Sequence, residues 1–238
     1  MDGRQKQHFP VPVLRKGKLN TGAEYKPDAE QLMEYVKHGQ CIFGGCFSKE
    51  LKNRILCRGG ESYDLMQLER IVRENAAATA EGAVAEAVQN SPVTLRGSLC
   101  ILTGYGRCGS AIHQCLKNWG CTIVVYDRDE NACERAKEAG AKICEYKDLS
   151  KVLKKAAFLF NTAPWTEGLL EGVPQEVCIL ELASMPGGID RDAADRLGIH
   201  INVLPGLPGR FAPCTSGRLL GEEILKEIER IIKRECKS

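Results

Sequence analysis

The amino-acid sequence predicts an α/β protein built on a doubly wound parallel sheet, and two observations carry this prediction. Strand-like apolar runs alternate with helical patterns along the chain, as they do where helices cross over between parallel strands. A glycine-rich turn at 104–109 directly follows one apolar run and opens a helical one. The 238 residues, 43% of them hydrophobic and 27% charged, are enough to build a sizeable core.

The pattern in the first third of the chain predicts a smaller α/β region. Three apolar runs predict strands at 9–14, 41–44 and 61–64. Three helical patterns are expected at 28–38, 48–57 and 67–89. Pro27 precedes the first of these helices, Ser48 can cap the second, and Ser91-Pro92 ends the third. Three strands are few for a doubly wound sheet, so we expect this N-terminal region to be truncated.

The pattern in the rest of the chain predicts a second region with a full sheet, followed by one more helix. Six strands are expected at 99–103, 122–126, 142–144, 158–161, 177–181 and 199–203. The last helix, at about 213–234, is expected to pack back on the first region. The predicted organisation is a partial substrate-side region at 1–75, a connecting helix at 76–92, a nucleotide-binding domain at 93–212 and a C-terminal helix at 213–238.

Charge and cysteine content exclude several classes of protein. The 33 Lys and Arg residues nearly balance 31 Asp and Glu, and a net charge of +2 is too small to gather nucleic acid or an anionic membrane. No apolar run approaches the roughly 18 residues of a membrane span, and the chain opens on a polar segment. The 12 cysteines form no C-x-x-C pair and the 4 histidines are scattered. We therefore expect a cytoplasmic protein with reduced thiols, no metal site and a small-molecule ligand.

The glycine-rich turn has the spacing of a dinucleotide-binding fingerprint. Gly104 permits the tight turn, Gly106 lets the backbone approach a pyrophosphate, and Gly109 allows helix and strand to pack closely. The amides and dipole of the helix that follows favour phosphate charge. These features predict a Rossmann-type domain that binds NAD or NADP.

The choice between NAD and NADP depends on two neighbouring residues. Asp127 ends the second strand of this domain about 20 residues after the glycines, where a carboxylate accepts from the ribose hydroxyls of NAD. Arg128 follows it and would instead pair with the 2′-phosphate of NADP. Because successive side chains leaving a strand point to opposite sides, only one of the two faces the ribose. The spacing favours Asp127 and NAD.

Three further loops, at 161–164, 183–188 and 204–210, follow the fourth, fifth and sixth strands. The carboxyl ends of parallel strands share one edge, where ligands bind in such folds. The polar groups expected to converge there are the side chains of Asn161, Thr162, Ser184, Arg210 and Thr215 and the backbone amides of Gly187 and Gly188. None of these loops contains a histidine, which disfavours a hydroxy-acid dehydrogenase with a histidine base.

The segments 160–164, 180–190 and 204–217 resemble those of the dipicolinate synthase family, in its A-type subunit. Segments 78–82 and 104–109 are similar to the same family, and the resemblance runs from about His8 to the end of the chain. It implies an NAD(P)-dependent oxidation of a dihydro- or tetrahydrodipicolinate-type dicarboxylate to dipicolinate in sporulation. It also implies a partner, the flavoprotein-like B-type subunit of dipicolinate synthase, and we expect a homo-oligomer.

The resemblance carries roles onto matching residues of this chain. The family's cofactor role falls on Gly104, Gly106, Arg107 and Gly109, and its pocket role falls on Asn161, Thr162, Ser184 and Arg210. Asp127 and Arg128 are cofactor candidates from the spacing alone, and Asn161 and Thr162 are expected to contact the cofactor too. Asn161, Ser184 and Arg210 become the candidate catalytic residues. Arg210 would clamp one substrate carboxylate, Ser184 with the amides of Gly187 and Gly188 would hold the other, and Thr215 lies beside them.

Two features depart from the family. We expect the first region to correspond to only part of the family's N-terminal domain, and Asp127 stands where the family has a basic, NADP-type pattern. The leading hypothesis is an oxidoreductase subunit. The alternatives are a non-catalytic nucleotide-binding module that regulates or scaffolds a partner, and another NAD enzyme of related fold.

Overall fold

A computed structural model describes residues 6–8, 11–15, 17–20, 24, 26–164, 170, 173–184 and 187–236. The chain divides into two compact units. The first comprises Met1–Val72 with Gly217–Ser238, and the second comprises Arg73–Ser216.

The first unit contains a short parallel sheet and a small hairpin. Its strands and helices, in chain order, are β1 (Lys6–His8), β2 (Leu14–Arg15), β3 (Lys18–Leu19), α1 (Ala29–Met33), β4 (Cys41–Gly44), α2 (Lys49–Cys57) and β5 (Glu61–Asp64), with a single 3-10 turn at Leu65–Gln67. The parallel sheet has the order β1-β4-β5, and β2 pairs with β3 in antiparallel fashion.

Two predicted elements of this unit differ from the structure. The strand expected at 9–14 is absent over the bend at 11–13, where Pro12 has no N–H to give to a ladder; Phe9 and Pro10 lie outside the described residues. The helix expected at 28–38 ends at Met33. After it, the backbone bonds from Tyr35 to Leu32 and from Val36 to Met33 span three residues, which turns the chain out of the α-helix.

Two long helices, α3 (Glu69–Gln89) and α9 (Pro213–Glu235), each pass from one unit to the other along the chain. In the first unit, Leu219 and Ile231 of α9 are buried with Phe43 and Ile71. The Arg70 guanidinium also pairs with two carboxylates of α9, Glu222 at 2.7 Å and Glu223 at 2.5 Å. The prediction that the last helix packs back on the first region is therefore confirmed.

The second unit is a six-stranded, all-parallel sheet. Its elements are β6 (Leu99–Thr103), α4 (Arg107–Lys117), β7 (Thr122–Tyr126), α5 (Glu130–Glu138), β8 (Lys142–Ile143), α6 (Tyr146–Leu153), β9 (Phe158–Asn161), β10 (Cys178–Glu181), α7 (Arg191–Leu197), β11 (Ile201–Val203) and α8 (Leu207–Phe211). The strand order is β11-β10-β9-β6-β7-β8. The order reverses between β6 and β9, which is the arrangement of the predicted doubly wound fold.

Successive side chains of the strands point to opposite faces of this sheet, and helices cover both faces. Cys100 and Leu102 of β6 pack on one face with residues of α3, α4 and α5, whereas Ile101 packs on the other face with residues of α6 and α7. The helix predicted as a connector therefore contributes part of the second unit's core, since Ala80, Ala83 and Ala87 are fully buried there.

Two predictions at the end of this unit need correction. The strand expected from 199 begins at Ile201, because the amide of Ile199 donates to the carbonyl of Ala194 and closes the last turn of α7. The loop expected at 204–210 contains the short helix α8, in which Pro208 occupies a first-turn position that suits its fixed φ.

None of the twelve cysteines, all of which lie in the described ranges, forms a disulfide. Within the described ranges, no helix combines the length and the apolar character needed to cross a bilayer. The same residues contain no cluster of three His, Cys, Asp or Glu side chains placed to bind a metal ion.

Candidate functional site

The glycine-rich turn between β6 and α4 has the geometry that its spacing predicts. Gly104 adopts a φ of +88°, a conformation that L side chains rarely adopt, and a Cβ there would lie 2.6 Å from the Thr162 hydroxyl. A Cβ on Gly109 would overlap the carbonyl oxygen of Gly104. Gly106 caps α4 without a side-chain hydrogen bond. The turn therefore leaves the first amides of α4 without a side-chain cap and brings helix and strand together.

A cavity of about 450 Å³ opens at this turn, lined by Tyr105, Gly106, Arg107, Ser110 and Arg135. Beyond Gly106 and the chain next to it, no described atom lies within 4 Å of where a Cβ of Gly106 would be, so the backbone is open to a ligand. Two guanidinium groups and a helix N-terminus make the surroundings cationic. These features fit the pyrophosphate of a dinucleotide.

Asp127, rather than Arg128, lies against the glycine-rich turn. The Asp127 carboxylate accepts from the backbone amide of Tyr105 at 2.5 Å and from that of Asp129 at 3.0 Å. Arg128 is exposed, and its guanidinium is hydrogen-bonded to the Tyr126 side chain. The carboxylate therefore holds the turn in place and has lone pairs left for a ribose hydroxyl.

Beneath the turn, Tyr105 and His113 form a buried pair. The Tyr105 hydroxyl lies 2.7 Å from His113 Nδ1, and the two residues are 4% and 1% exposed. Burial, with a smaller effect of Lys117, lowers the pKa of His113 below its usual value. The neutral imidazole thus anchors the tyrosine to α4, which is a structural role.

Asn161 is buried at the carboxyl end of β9, and all its side-chain groups are bonded within the protein. Its Nδ2 donates to the carbonyl of Ala163 and to both oxygens of Glu181, at 3.1, 2.9 and 3.0 Å. Its Oδ1 accepts from the Thr103 hydroxyl at 2.5 Å and from the amide of Ala163 at 3.3 Å. The sequence predicted an accessible catalytic and cofactor-binding side chain; the structure gives it an interior one, because its partners are all on neighbouring strands and loops.

Thr162, which follows Asn161, links the second loop to the glycine-rich turn. Its hydroxyl donates to the carbonyl oxygens of Thr103 and Gly104, both at 3.1 Å. The predicted convergence of these two loops at the carboxyl edge is therefore present.

The loop after β10 uses the amides that were predicted to receive a substrate carboxylate. Gly188 N–H donates to Glu181 at 3.0 Å, and Gly187 N–H donates to the Ser184 carbonyl at 2.9 Å. Both amides are therefore engaged, that of Gly188 by the Glu181 carboxylate and that of Gly187 by the backbone of Ser184. The Ser184 side chain remains exposed.

Arg210 and Thr215 lie after the sixth strand, as predicted, but Arg210 has an internal partner. Its guanidinium donates to the carboxylate of Glu86 on α3 at 2.6 Å, although half of the Arg210 side chain is exposed. The sequence placed Arg210 in a loop as a free cation; α8 directs it towards α3 instead. Thr215 is exposed in the first turn of α9.

Comparison with known proteins identifies the family. The A-type subunit of dipicolinate synthase from Bacillus subtilis (strain 168) is 30% identical over 199 residues, which cover 82% of this chain and 67% of that protein. The chain belongs to the family of dipicolinate synthase A-type subunits. The crystal structure of the same subunit from Bacillus halodurans matches with a TM-score of 0.81 at 25% identity, over 93% of this chain and 78% of that one.

The cofactor class of this family member follows from two further matches. The NAD binding domain of the D-isomer specific 2-hydroxyacid dehydrogenases matches residues 63–171. The chloroplastic/mitochondrial formate dehydrogenase of Arabidopsis thaliana is 38% identical over 73 residues, which are 31% of this chain and 18% of that protein. The chain is therefore an NAD(P)-binding protein with an oxidoreductase-like role.

Several residues at the candidate site of this dipicolinate synthase family member were not predicted from the sequence. Tyr105 occupies a variable position of the glycine fingerprint, and Arg135 lies on a helix with no motif of its own. Glu181 did leave a signal, since an acidic residue ends the otherwise apolar strand β10. An acid in that position indicates either an exposed end or a buried carboxylate with several donors.

Proposed function

We propose that this chain is the subunit of a dipicolinate synthase that oxidises a dihydrodipicolinate-type dicarboxylate to dipicolinate with an NAD(P) cofactor. The observation that carries the proposal is the shared edge of the parallel sheet. The glycine-rich turn, the loop at Thr162 and the loop at Ser184 meet there, in a chain that belongs to the dipicolinate synthase family.

The reaction removes one hydride and one proton from the reduced ring. Dihydrodipicolinate and NAD(P)⁺ give dipicolinate, NAD(P)H and H⁺, and a tetrahydro precursor would pass through two such oxidations. When bound, the nicotinamide supplies the hydride acceptor. Because formation of the aromatic ring is itself favourable, the protein has chiefly to hold the ring carbon beside the acceptor and to pair the two carboxylates.

The cofactor is proposed to lie across the carboxyl edge of the sheet. The amides at Gly106 and Arg107 would bind the pyrophosphate, with the guanidinium groups of Arg107 and Arg135 adding charge. Asp127 would accept from the adenosine ribose, and Thr162 would keep its loop against Gly104.

For the substrate, the structure favours exposed hydroxyls over the groups that are already bonded. Ser184 and Thr215 are exposed and are the proposed contacts. Asn161 and Gly188 would act indirectly, by shaping the loops, since their donors are used within the protein. Arg210 would meet a carboxylate only by leaving Glu86.

We further propose that the enzyme works in the cytoplasm during sporulation, as a homo-oligomer with the flavoprotein-like B-type subunit of dipicolinate synthase. The support is family membership and the names of the relatives, which describe each of them as one subunit of the synthase.

The experiment is an absorbance assay for NAD(P)H with freshly generated dihydrodipicolinate. It is run with the chain alone and with the chain co-expressed with a flavoprotein of the B-type. We expect NAD(P)H formation that depends on the dicarboxylate, and its loss in Gly106→Val. Binding of NADH without turnover in either preparation would overturn the proposal and favour a non-catalytic nucleotide-binding role.

A further inference from the structure

Glu181 is a buried carboxylate at the carboxyl end of β10, between the cofactor and substrate loops. It is 2% exposed. Its oxygens accept from the Asn161 side chain at 2.9 and 3.0 Å and from the amides of Ala183 at 2.9 Å, Gly188 at 3.0 Å and Ile189 at 2.9 Å. Within the described ranges it forms no ion pair. Amide dipoles, rather than a cation, therefore surround this carboxylate.

The surroundings require a group that only accepts hydrogen bonds. One oxygen faces the amide of Ala183, the other faces the amides of Gly188 and Ile189, and the Asn161 amide reaches both. A glutamine at this position would turn an NH₂ towards backbone donors on one side or the other. That substitution removes acceptors and sets donor against donor, whereas it hardly changes the size of the side chain.

The same carboxylate ties the substrate loop to the strand that leads to the cofactor turn. The Thr103 hydroxyl, at the end of β6, donates to Asn161, and Asn161 donates to Glu181. The chain of bonds crosses three adjacent strands, β6, β9 and β10. Beyond it, Gly187 has a φ of +96°, and a Cβ there would lie 3.6 Å from the Glu181 carboxylate. The described residues Ala183 and 187–189 therefore all lie close to this one group.

We propose that Glu181 is a positioning residue: its buried carboxylate fixes the loop that carries Ser184 in register with the loop at Asn161 and Thr162. It touches neither substrate nor cofactor, and acts through the amides that it orders. The kinetic part of this inference rests on the proposed dicarboxylate oxidation, whereas the ordering of the loop does not.

The test compares Glu181→Gln with the unmodified chain by amide hydrogen exchange and by steady-state kinetics. We expect exchange across 183–189 to accelerate about tenfold or more, since each lost buried bond opens the loop. We expect KM for the dicarboxylate to rise about tenfold or more, and the Kd for NADH to change less than about threefold, because the cavity at Gly106 is untouched.

Two variants control this experiment. Glu176→Gln removes an exposed carboxylate just before β10 at the opposite end of the strand, and should change neither exchange at 183–189 nor KM. Glu181→Asp keeps an acceptor-only group and should give a smaller acceleration confined to the same loop. It serves as the reporter if Glu181→Gln does not fold.

The outcomes separate this inference from the proposed function. Unchanged exchange at 183–189 in the Glu181 variants, or acceleration spread evenly over the second unit with an equal loss of NADH affinity, would overturn the positioning role. If the unmodified chain shows no dicarboxylate turnover, the proposed reaction fails, and the exchange pattern still decides whether Glu181 orders the loop.

Discussion

The guanidinium of Arg210 and the carboxylate of Glu86 form an ion pair of 2.6 Å in which the carboxylate side chain is only 10% exposed. Asn90 also donates to this carboxylate, at 3.0 Å. The pair joins α8 to α3 and stabilises the chain just after the sixth strand. A residue selected from sequence as a substrate clamp therefore has a structural partner.

This pairing predicts that Arg210→Met lowers the free energy of unfolding by about 1–3 kcal/mol, since it leaves a nearly buried carboxylate with one donor fewer. Urea unfolding measures the loss. In a Glu86→Gln background the same substitution should cost much less, because the charge that needed the guanidinium is gone. A substrate clamp would behave differently: KM would rise in both backgrounds, and stability would be unchanged in both.

Gly106, which caps α4, and Gly109, in the first turn of α4, should respond differently to substitution. Gly106→Val places its side chain in open space, so we expect unchanged stability and NADH binding weaker by about a hundredfold, on the order of 3 kcal/mol. Gly109→Ala forces its Cβ into the Gly104 carbonyl. For this variant we expect weaker NADH binding together with a loss of stability of about 1–3 kcal/mol. Calorimetric titration and thermal unfolding of both variants check this; equal NADH affinity in Gly106→Val and the unmodified chain would contradict the cofactor assignment.

The position of Asp127 predicts a preference for NADH over NADPH. A 2′-phosphate beside this carboxylate would meet a like charge, whereas a ribose hydroxyl can donate to it. We expect NADH to bind at least about tenfold more tightly, roughly 1.4 kcal/mol, and Asp127→Ser to reduce that ratio. Arg128→Ala should leave the ratio unchanged. The opposite result would be NADPH binding more tightly than NADH. If Arg128→Ala or Arg135→Ala abolished that preference, the arginines would be shown to hold the 2′-phosphate.

The buried His113 predicts a dependence of stability on pH. Because burial lowers its pKa in the folded state, the unfolded chain binds the proton first, at about pH 6.5. The stability that neutral His113 contributes is therefore complete above pH 6.5 and is lost as the pH falls through the lowered value. We expect the free energy of unfolding to fall more between pH 7.5 and 5.5 in the unmodified chain than in His113→Asn. Parallel pH profiles for the two proteins would refute this role.

Much of the fold follows from local patterns in the sequence. The strand Leu99–Thr103, the glycine turn and the helix after it were predicted because an apolar run, the positions of three glycines and a helical pattern all agree. The end of α1 and the start of β11 were not predictable in this way. There, single backbone bonds at Tyr35 and Ile199 decide where an element begins or ends.

In the candidate site, too, some features follow from local sequence and others depend on distant partners. The cofactor turn depends on backbone conformation, which glycine positions reveal directly, and Asp127 is found by counting along the chain. The roles of Asn161, Gly188 and Arg210 depend on whether a distant partner has already taken the polar group. Glu181 lies 20 residues from Asn161, and Glu86 lies 124 residues from Arg210.

The sequence by itself determined the doubly wound sheet, the glycine turn and the edge at which polar residues gather, because each of these is encoded by spacing along one segment. Only the tertiary structure decided which of those residues remain open to a ligand. Asn161 and Glu181 satisfy each other across neighbouring strands, and Glu86 holds Arg210. The physical reason is that a buried polar group must find a partner, and that partner is set by packing between segments.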